Sequence, residues 1–112
     1  RQRLVPFDAK RYRLFKVRMR IQPNPRFGAG GWARKMRLKW GTREEPIIGN
    51  CHAVDFETRI ASAEVKPDGE WHEYAINLSK NPLWSGSVNE LWFEGVNLPF
   101  ATVEIDWMRF EP

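Results

Sequence analysis

The sequence predicts an all-β chain folded as an antiparallel β-sandwich. Three observations carry that expectation: six short runs alternate apolar with charged residues at a period of two, Gly- and Pro-rich breaks separate them, and no stretch has convincing helical spacing. The 112 residues suffice for one domain, 1–112, and are too few for two; at this size about two-thirds of the unfolded surface can be buried. Hydrophobic residues make up 42% of the chain and include six Trp and seven Phe, bulk that a disordered segment lacks.

Residues 1 to 11 read as a lead-in rather than a strand, because Pro6 blocks ladder hydrogen bonding and Asp8 favours a turn. The first strand is expected from Tyr12 to Ile21, with Phe15, Val17, Met19 and Ile21 on one face and Lys16, Arg18 and Arg20 on the other. A loop with Pro23, Pro25 and several glycines leads past Trp32 to a second run, ARKMRLKW. There Met36, Leu38 and Trp40 oppose Lys35, Arg37 and Lys39. If these two strands pair, six cations share one sheet face.

Gly41 to Asn50 reads as a loop with a possible edge strand at Ile47 and Ile48, and a third strand is expected over Ala53 to Ile60. The segment KPDGEW supplies a turn: Pro67 fixes φ, Asp68 bonds local backbone and Gly69 accepts a left-handed conformation. Strands are then expected over Trp71 to Leu78, over Val88 to Phe93 with Trp92 outward between Glu90 and Glu94, and over Thr102 to Phe110. In the last, Val103, Ile105 and Trp107 face inward while Glu104 and Asp106 face out. The loop SKNPLWSGS presents Trp84.

Charge divides along the chain. Residues 1 to 40 hold thirteen Lys/Arg against the single acid Asp8, and residues 41 to 112 hold five against thirteen Asp/Glu, so a net charge of +4 conceals halves of +12 and −8. The cations therefore need acidic neighbours, anions or a partner surface. Nucleic acid is a poor partner despite a pI near 9.6, because the basic strands lack outward aromatics for base stacking and the rest of the chain is acidic.

No apolar run approaches a membrane span and no signal peptide precedes the domain. A start at Arg1 without Met suggests a trimmed product, with preceding strands expected to be missing. Catalysis has little support. The lone Cys51 beside His52, and His72 beside Glu73, are chain neighbours rather than groups set across a cleft. The same-face Glu90 and Glu94 read as surface charge, and phosphate-loop, dinucleotide and zinc motifs are absent. No enzyme and no cofactor are expected. Asn77-Leu78-Ser79 matches a glycosylation acceptor, a pattern too common to carry weight.

In GEWHEYAINLS, PLWSGSVNELWF and VEIDWMRF the chain resembles the carbohydrate-binding-module-like β-sandwich, jelly-roll-like or galactose-binding-like, of secreted bacterial polysaccharide-active proteins. The likeness runs from about Phe7 to the end of the chain. It rests on a Trp-led strand after a DG turn, a Pro-x-Trp-x-Gly loop and a final strand with Asp before an aromatic. It implies a non-catalytic module in an extracytoplasmic location: periplasmic, secreted or at the cell surface. Asp106 matches a position that holds structural calcium in such modules, but no N-terminal acid completes it, so Asp106 is the only metal candidate and no metal is expected.

The resemblance and the outward residues together nominate a glycan site: Trp92, Arg18 and Arg37 as platform, Glu90 beside them, Trp32 and Trp84 at the rim. An indole stacks on a sugar ring, and Arg or carboxylate pairs with hydroxyls, or best with an anionic glycan. The plainer readings are cross-strand neutralisation of the cations, and loop tryptophans folded back as caps; Trp40 and Trp107 read as core. The alternative function is an accessory subunit that uses the same sandwich to dock on an acidic partner surface in a larger envelope assembly.

Overall fold

In a computed structural model, residues 2–26, 34–43, 59–98 and 100–112 are described, and they form two antiparallel sheets packed face to face. The strands are β1 (Gln2–Asp8), β2 (Leu14–Gln22), β3 (Lys35–Thr42), β4 (Ile60–Glu64), β5 (Trp71–Asn77), β6 (Ser87–Glu94) and β7 (Thr102–Glu111). One sheet has the order β1-β6-β3-β4 and the other β5-β2-β7. The all-β sandwich expected from alternation is thus the observed fold class.

Alternation sets the core. Phe15, Val17, Met19 and Ile21 of β2 meet Met36, Leu38 and Trp40 of β3 across the layers, all at most 3% exposed. One end is closed by aromatics. The Trp84 ring stacks on Phe110 at 5.8 Å and meets Trp40 edge-on at 5.1 Å, while Phe7 lies 5.2 Å from Phe110. Two indole N–H groups pin the loop before β6 to both layers: Trp40 Nε1 donates to the Leu83 carbonyl at 3.1 Å and Trp84 Nε1 to the Tyr12 carbonyl at 2.8 Å. The Pro-Asp-Gly turn forms as expected, with Gly69 at φ +77° donating its N–H to the Ile21 carbonyl.

Three expectations are corrected. The two basic strands do not pair: β2 and β3 lie in different sheets, so their cations occupy opposite outer faces. Residues 1 to 11 are not a mere lead-in, since β1 forms there as an edge strand. Its register slips between Arg3 and Phe7, a place that tolerates Pro6 without loss of a ladder bond. Finally, a strand follows Ile60 rather than ending at it; β4 is built on Ala61 and Ala63, inward residues too small to register as a hydrophobic stripe. Residues 53–58 of the expected third strand, and Ile47 and Ile48, lie outside the described residues.

Each basic strand has an acidic neighbour. In the β2–β7 ladder Lys16 bridges to Glu111 at 3.1 Å, Arg18 to Asp106 at 3.0 Å and Arg20 to Glu104 at 2.9 Å. In the β3–β6 ladder Arg37 pairs with Glu94, opposite it in register, at 2.7 Å. Cross-strand pairing therefore engages four of the six outward cations, Lys16, Arg18, Arg20 and Arg37, each exposed pair contributing about 0.2–1 kcal/mol.

Two carboxylates sit below their ordinary pKa for identifiable reasons. Hydrogen bonds from Lys16 and Arg109 favour ionised Glu111; for Asp68 the Glu70 backbone N–H leads, with His72 beside it at 2.9 Å. A depressed folded pKa stabilises the fold above the unfolded pKa, and that contribution is lost as pH falls through the folded pKa. Urea unfolding is accordingly expected to show stability falling below about pH 4.5, with Glu111→Gln flattening part of the fall; an acid limb unchanged by the substitution would count against this assignment.

Candidate ligand-binding face

The expected platform residues are dispersed by the topology. Arg37, Trp92 and Glu90 lie on the outer face of the four-stranded sheet, and Arg18 on the outer face of the other. On the first face Trp92 stands opposite Lys39 in register, with the Arg37 guanidinium 5.7 Å from its ring centre. This face is not an open groove at its centre, because Lys39 is 1% exposed and Glu90 6%. Trp84, expected at a rim, is 7% exposed and is a capping residue of the core. Trp32 lies outside the described residues.

The three-stranded sheet presents the more open surface. From β2 come Lys16, Arg18 and Arg20; from β5, Trp71 and Glu73; from β7, Glu104, Trp107 and Arg109. Trp107 reaches this face by a register shift. Arg18 pairs with Trp107 and Met19 with Ile105, which leaves Asp106 as an extra residue in a β-bulge. The bulge reverses the phase of everything after it, so Met108 and Phe110 oppose the inward Val17 and Phe15 while Trp107 and Arg109 turn outward. Trp107 is half-buried on the outer face and is not the core residue that uniform alternation implies.

Trp71 and Trp107 flank the central cations. Arg18 lies 4.8 Å and Arg20 5.2 Å from the Trp71 ring centre, and Arg109 4.3 Å from that of Trp107. Trp71 is 36% exposed. Arg18 donates to Asp106 through Nη1 at 3.0 Å, and its side chain remains about a third exposed to solvent at 36%. By register the face carries four cations, Lys16, Arg18, Arg20 and Arg109, and four carboxylates, Glu73, Glu104, Asp106 and Glu111. It offers donors and acceptors in equal measure, with no charge excess to select an anion.

Other surfaces offer less. A groove of about 690 Å³ between the edges of β4 and β5 is lined by Ile60, Ala61, Ile76, Asn77 and Leu83 among others, and none of its lining residues is aromatic. Asp106, the metal candidate, is engaged by Arg18, and among the described residues no group of three His, Cys, Asp or Glu is placed to hold a metal ion. No helix among them is long and apolar enough to cross a membrane. No protein-family model, curated protein or solved structure matches the chain.

The exchange of roles between two tryptophans is measurable. Trp84→Ala is expected to cost about 3–5 kcal/mol in urea unfolding because it empties the aromatic end of the core, whereas Trp107→Ala costs about 1 kcal/mol or less. Equal losses would contradict the placement of Trp107 on the outer face.

Proposed function

We propose that this domain is a non-catalytic glycan-binding module whose binding surface is the outer face of the β5-β2-β7 sheet. The observation that carries this reading is the pair Trp71 and Trp107, set on either side of Arg18 on a solvent-facing sheet. Indole surface packs against the C–H face of a pyranose ring, while the intervening guanidinium and carboxylate groups exchange hydrogen bonds with hydroxyls. The balance of four cations and four carboxylates favours a neutral glycan over an anionic one. A module of this kind works where polysaccharide is encountered, at the cell envelope or outside the cell.

Docking on an acidic partner, the alternative expectation, draws less support from this arrangement, since four of the six cations that motivated it, Lys16, Arg18, Arg20 and Arg37, are faced by carboxylates of the same chain. On a glycan array followed by calorimetry, the domain is expected to bind a neutral polysaccharide. Trp71→Ala, Trp107→Ala and Arg18→Ala should each weaken binding by at least about 1 kcal/mol, roughly fivefold in Kd, with the fold intact by circular dichroism. Absence of binding to every neutral and acidic polysaccharide, or binding indifferent to all three substitutions, would sink the proposal.

A further inference from the structure

Among the described residues, strand β7 is an edge strand ten residues long, paired with β2 on one side only. Ile105 and Met108 oppose the fully buried Met19 and Val17 in register, which assigns them to the inner face, yet they are 44% and 47% exposed. Their apolar surface and the unpaired edge of the backbone lie side by side, the arrangement that invites another strand. A bulge ordinarily protects such an edge, because its two halves are out of phase and a straight strand can match only one of them. A strand that carries the same change of phase matches both.

We infer that the partner of this edge is β7 of a second copy of the chain, paired antiparallel about a two-fold axis between Asp106 and Trp107. In that register Ile105 of one copy faces Met108 of the other, Val103 faces Phe110, and Thr102 faces Glu111, so the full strand from Thr102 to Glu111 is used. Glu104 of one copy meets Arg109 of the other. The bulge makes this self-pairing possible: Val103, Ile105, Met108 and Phe110 share the inner face, and Glu104, Trp107 and Arg109 the outer one, so every opposed pair has matching faces. Charge is complementary as well, because no like charges are directly opposed and the Arg109 side chain, whose Nε donates to Glu111 at 2.6 Å, is 56% exposed. Two copies joined this way form a continuous sheet, β5-β2-β7 followed by β7-β2-β5, with both Trp107 side chains near its centre.

The register is tested in the full chain without glycan, so its outcome is independent of the binding proposal. In a Cys51→Ser background, Ile105→Cys with Met108→Cys is expected to give a disulfide-linked dimer under mild oxidation, with peptide mapping locating the bond between positions 105 and 108 of different copies. Directly opposed residues lie at about 4.5–5.5 Å between Cα atoms, within disulfide range. Ile105→Cys with Phe110→Cys, which is out of register, should crosslink at least about tenfold less. Sedimentation equilibrium should show the unmodified chain self-associating, and Met108→Asp should weaken that association at least tenfold with an unchanged circular dichroism spectrum. A unmodified chain that stays monomeric up to its solubility limit, or a control pair that crosslinks as well as the matched one, overturns the inference.

Discussion

Two strands rich in Lys and Arg cannot be neighbours in one sheet without placing like charges opposite each other, and the rest of this structure follows from how that conflict is avoided. β2 and β3 are assigned to different layers, and each is seated beside a strand from the acidic half of the chain, β2 beside β7 and β3 beside β6. Their inner faces, Val17 and Met19 on one and Met36 and Leu38 on the other, meet as the core. The same residues that make the strands amphipathic thus decide which strands can adjoin them. A division of charge that looks like a binding surface in the linear sequence becomes a set of cross-strand pairs in three dimensions.

The two outer faces differ in what this pairing leaves exposed. On the β3–β6 side, Lys39 and Glu90 are withdrawn from solvent and Trp92 is half-buried. On the β2 side the bulge at Asp106 turns Trp107 outward, opposite Arg18, with Trp71 beyond the cations. One inserted residue therefore both completes the proposed glycan platform and gives β7 the change of phase on which its inferred self-pairing depends.

Alternation made most of the fold legible. β2, β3 and β5 carry a clear two-residue period throughout, β6 and β7 carry one on each side of a register shift, and the bounds of all five fall close to those expected. β1 was obscured because Pro6 is incompatible with a central strand, and position at an edge is a property of the whole sheet rather than of local sequence. β4 was obscured because Ala61 and Ala63 bury little surface. The candidate site was less legible, since alternation states which residues share a face of one strand but not which strands share a sheet. Electrostatics held part of the answer: six cations on adjacent strands oppose folding, which argues for separation. The turn of Trp107 was also signalled, because charge falls on even positions at Glu104 and Asp106 and on odd positions at Arg109 and Glu111, a change of parity that marks a bulge.

The central claim is that facing carboxylates hold the basic strands in place, and Arg37 with Glu94 is the best pair on which to test it. Their side chains are only 25% and 28% exposed, and the Arg37 Nε donates to Glu94 Oε1 at 2.8 Å while Nη2 lies 2.7 Å from the same oxygen. A double-mutant cycle of Arg37→Met and Glu94→Gln, read by urea unfolding, should give a favourable coupling of about 1 kcal/mol. Coupling indistinguishable from zero, with both single variants folded, would contradict the account.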